Sequence, residues 1–456
     1  MATKKKLAIA GATGFIGRWF IETYKDDFDI VALSRKSIEE TDSKVEWRTV
    51  DLFSISSSKK ALEGVHYALY LVHSMQPSTR LDQSNFEDTD LLLADNFSRA
   101  SDECNLEHIV YLGGILPKDD QNISKHLRSR FEVEQVLGSR ATPLTAIRAG
   151  IIIGRGGSSF KIVQKLVKNL PIMACPSWTK SNNQPVDLIT AMASINLVLG
   201  EKKYFNQPIE IGGEQVVTYM KVLQLTAKYM NKKRWIFSIP FFSLGMSKLW
   251  VGLFSGSSTN FVAPLIESLR HDMTIENDAF MKLLPKFSLD KTIQKALDPN
   301  IKIPSNPKGY LAQKDKNTVR SVQRISNPAK KSSKWVAESY PVWLSKMFSK
   351  IIVAEEIEKT IRFKLLGICL LQLEFIKNRS DNNRQLFYIT GGYLTKRTNR
   401  GWLEFRAILN GSYIITAIHE FVPRLPWFIY RFTQARAHLF VMKKFEKYLS
   451  KLEENN

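Results

Sequence analysis

At 456 residues the chain is too long for one ordinary domain, and two or three are expected. With 44% hydrophobic and 24% charged residues it is no disordered chain, and its three scattered cysteines, Cys104, Cys175 and Cys369, offer neither a disulfide framework nor metal spacing and suit a reducing, cytoplasmic compartment. The net charge of +21 concentrates in residues 301–456, with 28 Lys/Arg against 12 Asp/Glu; no zinc-finger, RNA-recognition or helix-turn-helix pattern accompanies it, so no nucleic-acid partner is expected and a solvated basic face is the simple reading, with peripheral membrane contact left open.

The opening Met1-Ala-Thr-Lys-Lys-Lys looks like the charged end of a signal peptide, but the apolar run after it is short and breaks into glycines. Lys6–Ala10 is therefore read as a strand. A helix is predicted over 17–25, then strands over Asp29–Ser34, 45–50, 67–72, 108–112 and 144–153, with helical segments between them such as 89–104. This alternation predicts an α/β, Rossmann-like doubly wound parallel sheet, which binds ligands at the carboxyl ends of its strands.

Residues from about 155 to 302 read as a substrate region attached to that sheet, giving a first domain over 1–302. Its most apolar stretch, 235–254, contains Pro240, Gly245 and Lys248, so it is expected not to span a membrane but to cover an apolar substrate or touch a membrane surface. Pro240-Phe-Phe242 and Trp250 carry that expectation, with core packing as the plainer reading. Residues 303–333, with Pro304, Pro307 and Pro328, read as a linker.

The last domain, 334–456, has another texture. Strands are predicted over 386–394, 402–409 and 413–421, with Asn410-Gly411 as a hairpin turn. Leu403, Phe405, Ala407 and Leu409 alternate with Glu404, Arg406 and Ile408, which predicts one buried and one outward face. A long terminal helix carries Phe428, Phe432, Ala435, Leu439, Met442 and Leu449 as one apolar stripe. The domain reads as α+β.

Gly11-Ala-Thr13-Gly14-Phe15-Ile16-Gly17 follows the first strand and opens a helix. In such a G-x-x-G-x-x-G turn the first glycine makes the bend, the second admits a pyrophosphate and the third lets helix and strand pack. Ser34-Arg35-Lys36 ends the second strand, where NAD binders usually carry an acid. Arg35 instead suits a 2′-phosphate, so NADP(H) is favoured over NAD(H). Asp51 and Leu52 fit beside the adenine. His73 and Ser74, Gly113 and Arg148 close further strands; Ser74 suits the pyrophosphate or nicotinamide ribose, His73 is a second acid candidate or a strand cap, and Arg148 either approaches the nicotinamide or pairs with an acid.

These stretches, with Tyr70-Leu-Val-His-Ser-Met75, Ile109-Val-Tyr-Leu-Gly-Gly114 and Arg148-Ala-Gly-Ile-Ile-Ile-Gly154, resemble the atypical short-chain dehydrogenase/reductases, in the NmrA-like and epimerase-like branch, and more closely the bacterial YbjT-type NAD(P)-binding proteins. Phe387-Tyr-Ile-Thr-Gly-Gly392 and Gly401-Trp-Leu-Glu-Phe-Arg406 are similar to the domain of unknown function that follows the Rossmann unit there, which looks like a helix-grip fold enclosing apolar ligands. The resemblance implies a Tyr-x-x-x-Lys pair on the helix after the fifth strand. Here that helix carries His126-Leu-Arg-Ser-Arg130, and the strand before it ends in Gly113-Gly114 with no hydroxyl. His126 and Arg130 share a helix face. They are read as catalytic candidates, His126 as the acid, or as residues that hold the cofactor or a carboxylate such as Glu134.

No metal site is expected: His419-Glu420 begins H-E-x-x-H but meets Pro423, and Cys175 reads as a small buried hydrophobe or a pocket wall. The expectation is an NADP(H)-dependent oxidoreductase acting on a small apolar substrate. The alternative is a non-catalytic NADP(H) sensor or scaffold whose last domain binds a lipid-like ligand or a partner.

Overall fold

The computed structural model describes residues 4–39, 42–74, 82–117, 123–239, 264, 266–310, 318–396, 398 and 400–452. The chain divides into two compact units, one of residues 1–75 with 93–312 and one of residues 76–92 with 313–456.

The first unit is built on β1 (Lys6–Ala10), β2 (Asp29–Ser34), β3 (Val45–Thr49), β4 (Tyr67–Tyr70), β5 (His108–Gly114), β6 (Leu144–Ala149) and β7 (Gln207–Ile211). Their order across the sheet is β3-β2-β1-β4-β5-β6-β7, and every pairing is parallel. Leu7, Ile9, Ile30, Ala32, Leu69, Val110 and Ile147 are fully buried, as strands covered on both faces require. The chain reverses direction of winding between β1 and β4, and α1 (Phe15–Tyr24) begins at that point.

Two boundaries differ from expectation. The apolar run over 144–153 is two elements: β6 stops at Ala149, and Ile152–Ile153 pairs instead with Val186–Asp187. Apolar continuity hid the break at Gly150. The sequence reading also missed β7, an edge strand that begins Gln207-Pro208 and so carries a weak strand signature.

The second unit is an antiparallel sheet of β8 (Val319–Ser326), β9 (Ile352–Ile357), β10 (Thr360–Leu365), β11 (Ile368–Phe375), β12 (Arg384–Gly391), β13 (Trp402–Ile408) and β14 (Tyr413–Phe421), in the order β9-β10-β11-β12-β13-β14-β8. Asp82–Gln83 adds a short strand parallel to β8. The stretch 303–333, read as linker, therefore contains a sheet strand. Helix α6 (Ser333–Met347) and the terminal helices α7 (Trp427–Phe432) and α8 (Gln434–Lys451) complete this unit. Val336, Tyr340 and Leu344 of α6 meet Met442, Phe445 and Leu449 of α8 over Leu373, Phe387, Leu403 and Phe405, with Tyr340 and Phe445 rings 5.1 Å apart. The arrangement is a helix-grip-like α+β unit.

The terminal helix is two helices, because Thr433 leaves the helical region at φ −116, ψ −89. Ala435, Met442 and Leu449 form the buried stripe with Phe445, but Phe428 and Phe432 lie before or at the break and face outward. The outward face predicted for β13 is also corrected. Glu404 and Arg406 are both buried. Arg384 Nη2 approaches a Glu404 carboxylate oxygen at 2.6 Å, Arg406 Nη2 donates at 2.8 Å and His419 Nε2 at 3.2 Å. Trp402 stacks on His419 at 4.7 Å. Burial alone would raise the Glu404 pKa, but Arg384 and Arg406 hold it well below the usual carboxylate range, while burial lowers His419 and keeps it a neutral donor.

Candidate active site

The glycine turn has the predicted geometry. Gly11 sits at φ +93, and its carbonyl accepts the Gly14 N–H at 2.9 Å. A Cβ on Gly17 would lie 2.5 Å from the Gly11 carbonyl oxygen and 2.8 Å from the Ala12 Cα, so no larger residue fits. Gly14 is the N-cap of α1, and no side chain caps it. Among the described residues, the first-turn N–H groups of this ten-residue helix therefore have no side-chain acceptor at the carboxyl edge of the sheet. Thr13 is exposed beside them, and Phe15 and Ile16 are half-buried.

At the end of β2 the Ser34 hydroxyl accepts the Lys36 N–H at 3.0 Å, which turns the chain and leaves Arg35 and Lys36 exposed. No ion pair or hydrogen bond of the Arg35 side chain occurs among the described residues. Asp51 accepts the Phe53 N–H at 3.2 Å, and the Leu52 carbonyl accepts from Asn96 at 2.8 Å, so both shape the turn after β3.

A cavity of about 390 Å³ opens at the same edge. Phe15, Ile16, His73, Gly113, Gly114, His126 and Arg130 line one side, while Cys175, Trp178, Tyr219, Leu223 and Met273 line the other. Its walls are mostly apolar, with a few polar groups gathered near the strand ends, the usual character of a small-molecule site. Leu166, Met173, Cys175, Leu223 and Ile266 form one supporting cluster from α4 (Ser158–Asn169), α5 (Tyr219–Tyr229) and neighbouring segments.

Helix α3 (Lys125–Leu137) brings in the polar groups. Its N-cap Ser124 accepts the Leu127 N–H at 3.2 Å. The rings of His73 and His126 are 5.2 Å apart. His126 Nδ1 lies 3.1 Å from Ser268 Oγ, which is also 2.9 Å from Ser124 Oγ and donates to the Pro264 carbonyl at 3.0 Å. With that hydroxyl proton on Pro264, Ser268 accepts from both Ser124 and His126. In that arrangement Nδ1 is the protonated nitrogen of His126; were the Ser268 proton turned to His126 instead, it would be Nε2. Burial, His73 and Arg130 all lower the His126 pKa well below 6.5. A charged imidazolium acid at neutral pH is thus replaced by a neutral imidazole.

Arg130 donates to the Leu112 carbonyl at 2.8 Å and to the Val72 carbonyl at 3.4 Å, and its guanidinium lies 4.8 Å from the Tyr111 ring. It ties together the chain ends of β4 and β5. Arg148 is engaged by Glu134 through two hydrogen bonds of 3.0 and 2.6 Å, the pairing left open by the sequence. Glu134 is therefore bound by Arg148 and not by His126 or Arg130. Cys175 is buried in the cavity wall, and burial pushes its thiol up to about 11, away from nucleophilic use. Pro240-Phe-Phe242 and Trp250 lie outside the described residues. Sequence reasoning missed Ser268, Tyr219 and Met273; they come from separate segments, and only the fold joins them. Among the described residues no cluster of ligands suits a metal ion, and no helix is long and apolar enough to cross a membrane.

No family model matches the chain. The auxiliary protein GraX of Staphylococcus aureus is 27% identical over 145 residues, 31% of this chain and 43% of that protein. The alignment thus spans less than half the length of that relative. Among solved structures, a nucleoside-diphosphate-sugar epimerase from Staphylococcus aureus superposes with a TM-score of 0.51 at 14% identity, covering 64% of this chain and 99% of that one. A triphenylmethane reductase from Citrobacter sp. superposes with a TM-score of 0.50 at 19% identity, again over 64% and 99%. The first unit thus has the same Rossmann-like fold as these two proteins.

Proposed function

We propose that the first unit binds NADP(H) and reduces a small apolar molecule. The observation that carries this reading is the cavity of about 390 Å³, which runs from Phe15 and Ile16 of the glycine turn to the apolar wall around Trp178 and Met273. The residues fit a dinucleotide. The uncapped N-terminus of α1 would take the pyrophosphate, and the lack of room for a Cβ at Gly17 keeps that turn tight. Arg35, with Ser34 and Lys36 beside it, would grip a 2′-phosphate. Asp51 and Leu52 would flank the adenine, and His73, Ser74 and Gly113 the nicotinamide half.

When bound, the nicotinamide supplies the hydride. The chain's own work is to orient the acceptor and exclude water. His126 offers a neutral imidazole held by Ser268, and Arg130 keeps the strand ends in place. A neutral His126 suits an acceptor that delocalises added charge, such as an extended conjugated carbonyl, over one that needs a strong acid, and water would supply the proton that completes the reduction. The test is NADPH consumption by purified protein with a panel of apolar conjugated acceptors. Turnover that falls on Met273→Trp, which fills the cavity, supports the reading. NADPH binding without turnover of any acceptor favours the sensor reading, which the missing Tyr-x-x-x-Lys pair and the hydroxyl-free end of β5 support.

A further inference from the structure

We propose that the corner formed by α7 and α8 docks on an anionic lipid surface, an inference independent of the cofactor reading. Phe428 and Phe432 of α7 and Phe440 of α8 are 68%, 58% and 53% exposed, and Ile429 beside them is 38% exposed. Burying the other side of α8 through Ala435, Met442, Phe445 and Leu449 fixes which face points outward. That outward face carries Arg436, Phe440, Lys443, Lys444 and Lys447, which recur at helical spacing. Residues 424–451 hold seven Lys/Arg and one Asp/Glu, and the single acid, Glu446, turns inward to accept the Ser326 N–H at 3.1 Å.

Exposed phenylalanines have no polar edge to satisfy in water, and three on one corner amount to roughly 350 Å² if each side chain spans about 200 Å². Their surroundings decide the occupant. Arg431 and Arg436 lie over Phe432 at 5.7 and 5.3 Å, Lys444 over Phe440 at 5.5 Å, and Arg424 over the exposed Tyr393 at 4.8 Å. Ring faces already covered by cations are poorly placed to stack nucleobases. Rings that enter an acyl boundary beside cations that meet lipid phosphates match the pattern of interfacial helices. Among the described residues no helix crosses a membrane, so the contact is peripheral.

The test is flotation of the full chain with vesicles of phosphatidylcholine alone or with about one-third phosphatidylserine. The expected result is binding to the anionic vesicles at least about tenfold stronger than to neutral ones, weakened by salt. Phe428→Ser/Phe432→Ser/Phe440→Ser should lower it by a further tenfold or so at unchanged circular dichroism, and Arg431→Glu/Arg436→Glu supplies a second variant should the first not fold. No flotation with anionic vesicles, or equal flotation of the folded variants, overturns the proposal. So does tight oligonucleotide binding without vesicle binding, or a dimer that the same substitutions dissolve.

Discussion

Arg35 bears on cofactor choice through two facts: it is exposed at the end of β2, and no described residue holds it. Arg35→Asp should weaken NADPH binding by about 10- to 100-fold, the worth of a charge-assisted pair, and leave NADH within a few-fold. Fluorescence titration of both nucleotides checks this. His126 is lowered well below 6.5, so turnover should show no inflection near pH 6.5 that His126→Gln abolishes; such an inflection in kcat would return His126 to the role of a charged acid. In the second unit, two carboxylates act with opposite sign. Burial raises Asp88 to about 6 despite Arg324 at 2.9 Å, so stability from this group rises as pH falls through about 6 towards 3.8. Glu404 is held well below 4.5, so its contribution is complete above about 4.5 and is lost on further acidification. Urea midpoints measured from neutral pH downward should therefore rise and then fall, and Asp88→Asn should remove the rise. Glu404→Gln should cost about 3–5 kcal/mol at neutral pH, because Arg384 and Arg406 stay buried without their carboxylate. At this scale the geometry of the glycine turn and the exposed position of Arg35 at the end of β2 were legible, since both depend on neighbours in sequence. Ser268, 142 residues from His126, was not, and neither was the buried role of Glu404, which breaks the simple alternation of β13.

Elements with strong local punctuation were read well. Asn410 and Gly411 both adopt positive φ, at +54 and +80, as the hairpin between β13 and β14 requires. A Cβ at Gly411 meets only Lys330 Cβ at 3.8 Å, so Gly411→Ala isolates the backbone effect, and a loss of about 1 kcal/mol in urea unfolding is expected. An unchanged or raised midpoint would mean that the turn does not need the left-handed conformation. Elements with weak punctuation were misread. The helix break at Thr433 has neither glycine nor proline to mark it. Strands β9 and β10 escaped prediction because they mix charged residues through their apolar ones, as in Val353-Ala-Glu-Glu356, and β8 lay inside a stretch whose prolines suggested a linker.

At the scale of the molecule, the two fold classes were legible from texture: parallel alternation in the first unit, and antiparallel hairpins with a terminal helix in the second. The cavity was not, because its walls come from α1, β5, α3, α5 and the segment around Met273, which no periodicity links. The central claim is that this cavity and the glycine turn form one NADP(H) site, and fluorescence titration of the purified chain with NADPH and NADH tests it most directly. The account predicts saturable NADPH binding in the micromolar range, at least about tenfold tighter than NADH, and lost in Gly17→Val. Failure of both nucleotides to bind at millimolar concentration would contradict it, and the first unit would then be a scaffold whose turn holds no cofactor.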